Sequence, residues 1–190
     1  MTIVTKLYTV AEFFDFIATP ENQSKHYELI GGEIIEGVSE EYSSQVGGRF
    51  FRYIDIFVEE NDLGIVTGAD GGYMVMGQPY IPDAAFMSFE RQAKKKAING
   101  YNVMAPDLAV DVRSPTDRDA DITLKITNYT QAGTVVWDVN PAKRTLVIYV
   151  KDQPPKKLTI NDTLNGGHVL PGFSVPVAKL FPVQRDVADG

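Results

Sequence analysis

The segment 106–115, PDLAVDVRSP, places a carboxylate and a guanidinium on one predicted strand. Alternate residues of a strand share a face, and the face expected to point into the core carries Leu108, Val110 and Val112. The opposite face carries Asp107, Ala109, Asp111 and Arg113. Asp107 is expected only to border the strand. Asp111 and Arg113 are two positions apart, so their Cα atoms lie about 6.6 Å from each other on one side of the strand. A carboxylate for a metal and a cation for a phosphate would then reach one scissile group.

A second short strand, predicted over 81–87, has an acidic residue near its beginning, where Asp83 follows Pro82. If the two strands are neighbours, Asp83 and Asp111 come together. Like charges at close range are unfavourable unless one is protonated or a cation lies between them. A divalent ion there would polarise a phosphoryl oxygen and lower the pKa of an attacking water. Asp83 and Asp111 are therefore the candidate metal ligands.

A helix predicted over about 117–132 brings a cation to the same place, and Gly133 ends it. Asp121, Lys125 and Tyr129 are four residues apart and form one stripe on this helix. Because the helix begins just beyond the end of the Asp111 strand, it can lay Lys125 back over that end. There the ammonium would steady the attacking water or the charge that develops on phosphate.

The composition restricts the kind of metal site that the chain can form. There is no cysteine, and the only histidines are His26 and His168, which excludes thiolate zinc sites and nearly excludes multi-histidine sites. A metal must therefore be held by oxygen, which points to magnesium, manganese or calcium. The net charge of −7 and the pI of about 4.8 argue against nucleic acid as a partner. One local basic run, at 91–96, still offers cations to phosphates.

The remaining pattern predicts an α/β chain that begins with a helix and a hairpin. Thr9 and Glu12 have the spacing of a capping box, and Gly31-Gly32 joins two β-prone runs within 27–36. The other predicted elements are a long helix at 41–61, strands at 65–67, 72–76, 135–139, 145–150 and 157–160, a loop at 99–105 and a short element at 177–181. This order predicts a sheet of mixed direction flanked by helices.

The length of 190 residues suits one domain with a single core. We expect this domain to span residues 1–183 and the last residues, 184–190, to be a disordered tail. No apolar run approaches the roughly 20 residues needed to span a bilayer, and the first residues lack the pattern of a signal peptide. The absence of cysteine fits a reducing compartment, so a cytoplasmic protein with no membrane contact is expected.

Several motifs occur together in a characteristic order. They are YELIGGEI at 27–34, PD at 82–83, APDLAVDVRSP at 105–115, the spaced residues Asp121, Lys125, Tyr129 and Gly133, VWDVNP at 136–141 and LPGF at 170–173. In combination they resemble the Uma-two family, a bacterial group of restriction endonuclease-like proteins in the PD-(D/E)XK superfamily. The resemblance covers nearly the whole chain, from about Tyr8 to Phe181. Each motif alone is common, whereas the combination is specific.

The resemblance implies a restriction-endonuclease-like α/β core and hydrolysis of DNA phosphodiester bonds that depends on Mg²⁺ or Mn²⁺. It implies that Asp83 is the first metal carboxylate and Asp111 the second. Lys125 matches a helical lysine that stands in for the lysine of the D/E-x-K strand motif, and Glu28 matches an upstream acid that could complete the site. Because nucleases that cut both strands commonly pair two copies, a homodimer is expected by analogy.

The sequence departs from the family pattern at three positions. Asp111 stands where the family usually has Glu, and it is one methylene shorter. Arg113 stands where many nucleases have Lys, and arginine can bind phosphate but cannot act as a base. The run Tyr42-Ser43-Ser44 stands where family members often have a histidine. These departures bear on activity more than on fold.

Each candidate residue has a structural alternative. Arg113 pairs by default with Asp111, Lys125 could pair with Asp121 on an exposed helix face, and Glu28 could be an exposed hairpin residue. Two rival functions follow. One is a catalytically inactive nuclease-fold module that binds nucleic acid or a protein. The other is a hydrolase that uses two carboxylates on a substrate such as a glycoside, which usually needs an aromatic-lined cleft that the sequence does not mark.

Overall fold

The computed structural model of the chain describes residues 6–37, 40–92, 97–98 and 100–183. The predicted tail at 184–190 and the lysines of the basic run at 94–96 lie outside these ranges. The helices of the described part are α1 (Val10–Ile17), α2 (Glu41–Glu60), α3 (Phe89–Gln92) and α4 (Asp119–Gln131), with a 3-10 helix over Val177–Leu180. Its strands are β1 (Tyr27–Ile30), β2 (Glu33–Glu36), β3 (Gly64–Gly68), β4 (Tyr73–Val75), β5 (Gln78–Tyr80), β6 (Ala84–Ser88), β7 (Ala97–Ile98), β8 (Tyr101–Asn102), β9 (Leu108–Val112), β10 (Val135–Asn140), β11 (Thr145–Tyr149), β12 (Lys156–Thr159), β13 (Thr163–Asn165) and β14 (Ser174–Pro176).

The central sheet has six strands in the order β12-β11-β10-β9-β6-β3. Strands β9 and β10 run parallel, and the other neighbouring pairs are antiparallel. A parallel pair requires a crossover connection, and α4 forms this crossover. The sheet is therefore mixed in direction, as the order of elements predicted.

Both faces of the central sheet are covered along β9. The apolar residues that alternate along this strand point into the core, as predicted, and there they pack against α2. They are Leu108, Val110 and Val112. On the opposite face, Ala109 is fully buried in a second cluster that includes Tyr129 of α4. Asp111 shares this second face, so its side chain lies at the end of a covered layer and is only 20% exposed.

The helix and hairpin at the beginning of the chain form as the sequence predicts. The Thr9 hydroxyl accepts a hydrogen bond from the Glu12 amide, and the Glu12 carboxylate accepts one from the Thr9 amide. Gly31 and Gly32 join β1 to β2 with φ angles of +58° and +85°, which glycine adopts without the steric cost of a Cβ. The hairpin therefore holds Glu28 in a fixed strand.

Two predicted elements differ from the structure, and two observed strands were not predicted. The strand predicted over 81–87 begins only at Ala84, because Pro82 has no N–H to give to a ladder. The loop predicted over 99–105 contains β8, which pairs with β4 and β7. Strands β13 and β14 are three residues long and have no counterpart in the sequence pattern, since so short a run shows little alternation.

Within the described residues, no helix combines the length and apolar character that crossing a membrane requires.

Candidate active site

The pairing of β6 with β9 brings the two candidate metal ligands together. The antiparallel ladder pairs Ala84 with Val110, so the next position of the same register sets Asp83 opposite Asp111. One oxygen of Asp83, Oδ2, accepts a hydrogen bond of 2.7 Å from the backbone amide of Val112. This bond holds the Asp83 carboxylate at the end of β9, as two neighbouring strands would require.

A glycine of α2 makes room for Asp83. A Cβ built at Gly47 would lie 3.3 Å from Asp83 Cβ and 3.6 Å from Asp83 Oδ1, which is a tight approach for the first pair. The adjacent Gly48 faces open space, with no atom within 4 Å of a built Cβ. Two adjacent glycines inside a helix lower its stability because glycine has a poor helix propensity. At Gly47 the absence of a Cβ leaves room for the Asp83 side chain. Sequence reasoning missed this residue, although the Gly-Gly pair within a predicted helix was its signal.

Lys125 lies between two carboxylates that come from distant parts of the chain. Its Nζ is 3.0 Å from the Glu28 carboxylate and 3.4 Å from Asp111 Oδ1. Glu28 also accepts a hydrogen bond of 2.9 Å from the backbone amide of Ile81, two residues before Asp83. The structure therefore brings together four of the five predicted site residues, namely Glu28, Asp83, Asp111 and Lys125.

The proximity and burial of these groups change their proton affinities. Burial raises the pKa of Asp111 to about 7, against the opposing effect of Lys125. Burial also raises the pKa of Asp83 to about 6, with the Val112 hydrogen bond and Lys125 acting in the opposite direction. Burial of the Lys125 ammonium disfavours its charge, but the nearby carboxylates of Asp111 and Glu28 outweigh this and raise its pKa. Lys125 is therefore a cation at neutral pH. The two nearby acids with raised pKa values are Asp83 and Asp111.

The structure contradicts the predicted partner of Arg113. Its guanidinium forms a two-bond pair with Asp138 of β10, at 2.7 Å from Nε and 2.6 Å from Nη2, and not with Asp111. Asp138 is aligned with Asp111 in the parallel ladder and its side chain is only 2% exposed, so an unpaired charge there would be costly. A contact of 3.4 Å to exposed Asp119 completes the surroundings of the guanidinium. Arg113 thus neutralises a neighbouring acid and is not one of the grouped site residues.

The other structural alternatives are resolved by the pairs on α4 and around β9. Asp121 binds Arg118 at 2.6 Å, and the ion pairs of Lys125 are with Glu28 and Asp111. Asp107 accepts a hydrogen bond from the Ser88 amide and an ion pair from Arg91, which confirms that it borders its strand.

A family comparison provides a test of the motif resemblance. The sequence model of Uma2, a family described as "Putative restriction endonuclease", matches residues 10–178. The chain belongs to the Uma2 family. Its fold also matches the crystal structure of a protein from Anabaena variabilis ATCC 29413, described as a putative nuclease belonging to DUF820, with a TM-score of 0.75. The two sequences are 19% identical, and the match covers 88% of this chain and 96% of that chain.

These matches confirm the family and the fold class expected from the sequence. The mixed sheet flanked by helices is shared by this Uma2 chain and the Anabaena protein, and the family match extends over all the motifs named above. A comparison with curated proteins finds no match.

The donor set of this Uma2 chain fits a hard cation held by few protein ligands. Among the described residues, no three acidic or histidine side chains are placed to hold a metal ion together. Glu28 is engaged with Lys125 and the Ile81 amide, whereas each of Asp83 and Asp111 has a single such contact, to the Val112 amide and to Lys125, so these two aspartates are the candidate ligands. Magnesium commonly binds through one or two carboxylates and keeps several waters. Two carboxylates are thus sufficient for such an ion.

One hydroxyl near Asp111 and Glu28, that of Tyr129, has no hydrogen-bond partner among the described residues. The Tyr129 hydroxyl is buried one helical turn beyond Lys125. Burial, with the charges of Asp111 and Glu28, raises its pKa well above the usual value. Buried polar atoms of this kind commonly bind an ordered water. The sequence pattern placed Tyr129 on the Lys125 stripe but predicted no catalytic role for it.

Proposed function

We propose that this Uma2 protein is a Mg²⁺-dependent endodeoxyribonuclease, also active with Mn²⁺, that hydrolyses phosphodiester bonds. The observation that carries the proposal is the position of the Lys125 ammonium, 3.4 Å from Asp111 and held by Glu28, where β6 and β9 bring Asp83 and Asp111 together. The family description and the nuclease described for the Anabaena structure support the same class of reaction.

The charge of each residue determines its proposed role. Asp83 and Asp111 would hold the ion, which supplies polarisation of the scissile phosphate and a lowered pKa for the attacking water. Lys125 would donate hydrogen bonds to the phosphate oxygens as negative charge develops on them. Because the pKa of Lys125 is raised, it acts as a cation and not as a base. Glu28 would position Lys125 and is not itself a ligand of the ion.

The proposal includes three expectations from the sequence. Residues 1–183 form the catalytic domain, two copies associate as a homodimer, and the protein acts in the cytoplasm. In a homodimer each copy would present one site to one strand of a DNA duplex.

Nicking of supercoiled plasmid DNA tests the proposed function. We expect wild-type protein to cut with Mg²⁺ or Mn²⁺ and not with EDTA, and Asp83→Asn or Asp111→Asn to lower the rate at least about 100-fold. Asparagine keeps the side-chain shape and an acceptor for the Val112 amide. Asp121→Asn is the matched control, since Asp121 lies on α4 but pairs with Arg118. Cutting at the wild-type rate by Asp83→Asn would remove the site.

A catalytically inactive module that binds nucleic acid or protein is the second candidate. The observation that favours it is the engagement of Lys125 by both Glu28 and Asp111, which leaves the cation less free to contact a substrate. Calorimetric titration with Mn²⁺ separates the two. A nuclease should bind the ion in wild-type protein and lose this binding in Asp83→Asn, whereas an inactive module should show no such difference.

A further inference from the structure

One short segment concentrates positive charge in an acidic chain. The segment 141–157 contains five cations and a single anion, Asp152, which gives it a net charge of +4 in a chain whose net charge is −7. Its cations are Lys143, Arg144, Lys151, Lys156 and Lys157. The charge of this segment is therefore opposite to that of the protein as a whole.

One end of this segment lies near the candidate active site: the β10–β11 turn is at the same end of the sheet as Asp111, whereas Lys151 is at the opposite end of β11. Lys143 and Arg144 lie in the turn between β10 and β11, and Lys151 follows β11. The ladder aligns Asp111 with Asp138, Asp138 with Val147, and Val147 with Lys157. Aligned residues on neighbouring strands project to the same face, so Lys157 shares the face of Asp111. Three strand spacings separate the two residues, a distance of about 14 Å.

The cations of this segment are free to bind an external anion. All five are exposed, and within the described ranges none of them forms an ion pair, in contrast to Lys25, Arg91, Arg113, Arg118 and Lys125. Lys156 acts electrostatically on Asp162, and it is left out of the surface. The remaining four define the β11 basic surface: Lys143, Arg144, Lys151 and Lys157.

The neighbouring acids leave this surface positive. Asp152 adjoins Lys151 in sequence, and Asp119 is turned toward Arg113 at 3.4 Å. Asp138 is buried and neutralised by the same arginine. Between Asp111 and Lys157 the aligned residues of the sheet are Asp138, which Arg113 neutralises, and Val147, which is uncharged. Neither residue adds an unpaired buried charge.

A groove beside the surface gives an extended polymer a place to lie. It has a volume of about 460 Å³ and separates α4 from the end of β11, with Thr127, Thr130, Tyr149 and Lys151 among its lining residues. The hydroxyls of Thr127 and Thr130 donate to carbonyls of their own helix. Lys151 and Asp152 both line the groove, so it carries one charge of each sign.

We infer that the β11 basic surface binds the phosphodiester backbone of the DNA strand that enters the Asp83–Asp111 site. This inference rests on the proposed function for the identity of the polymer. Lysines on an edge strand also discourage pairing with other chains, which would account for Lys157 on β12. It does not account for Lys143, Arg144 and Lys151, which lie outside that strand.

The test measures DNA binding in EDTA, by fluorescence anisotropy of a labelled duplex. The variant K143Q/R144Q/K151Q/K157Q removes the surface, and K6Q/K25Q/R52Q/K179Q removes four exposed cations elsewhere and leaves the same net charge. We expect the first variant to bind at least about tenfold more weakly, with a shallower salt dependence by up to about 0.9 per phosphate contact. The second variant should bind within about threefold of wild type. Equal losses in both variants, or a loss in neither, would overturn the inference.

Two further arms complete the design. The double variant K151Q/K157Q, checked by circular dichroism, guards against misfolding of the fourfold variant and should lose part of the affinity. Polyglutamate that binds wild-type protein as tightly as DNA would show that the surface recognises an acidic protein, against the inference. Binding through the surface without cleavage in Mg²⁺ or Mn²⁺ would support the surface and overturn the proposed function. Cleavage with unchanged affinity in the fourfold variant would overturn the surface alone.

Discussion

The ammonium of Lys125 lies 3.0 Å from the carboxylate of Glu28, although the two residues are 97 positions apart in the chain. The contact joins α4 to the β1–β2 hairpin. Both side chains are largely covered, at 13% and 19% exposure, so solvent and salt screen this pair less than a surface ion pair. Glu28 therefore fixes where the cation of the site lies.

Replacing Glu28 should reduce catalysis more than it reduces metal binding. Glu28→Gln keeps an acceptor for the Ile81 amide but removes the charge that holds Lys125. We expect the rate of plasmid nicking to fall about tenfold to 100-fold, the range found for residues that orient a metal site. The dissociation constant for Mn²⁺ should change by less than about threefold. Glu33→Gln on β2, which pairs with exposed Arg118, is the control, and equal rates in the two variants would contradict the role of Glu28.

Metal affinity should rise steeply across neutral pH. The pKa values of Asp83 and Asp111, about 6 and about 7, lie above the usual value for aspartate, so both acids hold protons in the folded protein until the pH passes these values. A metal ion must displace those protons. Affinity for Mn²⁺ measured by calorimetry should therefore be weak at pH 5.5 and at least about tenfold tighter at pH 8. A flat profile between these pH values would indicate carboxylates of ordinary pKa.

The two adjacent glycines of α2 should respond differently to alanine. Gly48→Ala should stabilise the protein by up to about 1 kcal/mol, since alanine is the better helix former and its Cβ meets open space. Gly47→Ala should gain less stability, because its Cβ would press on Asp83. It should also slow DNA cleavage by about tenfold through the displaced carboxylate. Thermal unfolding and plasmid nicking measure both effects, and similar behaviour of the two variants would exclude a role for Gly47.

Arg113 should be needed for folding stability and not for its charge at the active site. Arg113→Ala leaves Asp138 buried and unpaired, which should cost about 3–5 kcal/mol in urea unfolding. Arg118→Ala removes an exposed pair and should cost about 1 kcal/mol or less. Arg113→Lys should lose stability, because lysine cannot form the two-bond pair, yet should retain cleavage when folded. A mild effect of Arg113→Ala, equal to that of Arg118→Ala, would contradict this assignment.

Local sequence rules predicted much of the fold, and they predicted which face of its strand or helix carries Asp111 and Lys125. The capping box at Thr9 and the Gly31-Gly32 turn are determined by neighbouring residues, and both form as predicted. Alternation along β9 placed Asp111 on the face opposite Val110, and helical spacing placed Lys125 on one stripe. These features depend on periods of two and of about four residues, which a sequence displays directly.

What the sequence did not predict depends on contacts between distant strands. The pairing of Arg113 with Asp138 follows from the alignment of β9 with β10, and no local pattern reveals that register. The space that Gly47 leaves for Asp83 requires α2 to cross the end of β6 and β9. The tie between Lys125 and Glu28 depends on where the hairpin docks. The motif resemblance named Asp83, Lys125 and Glu28 as site residues, but only the three-dimensional structure shows which atoms face one another.

A crystal of this protein soaked in Mn²⁺ and examined by anomalous scattering tests most directly whether Asp83 and Asp111 hold a metal ion. We predict one strong peak within coordination distance of an oxygen of Asp83 and an oxygen of Asp111, with Lys125 still bound to Glu28. The same peak should be absent in Asp83→Asn crystals soaked in parallel. A peak that involves neither aspartate, or no peak at a Mn²⁺ concentration that supports cleavage, would contradict this prediction.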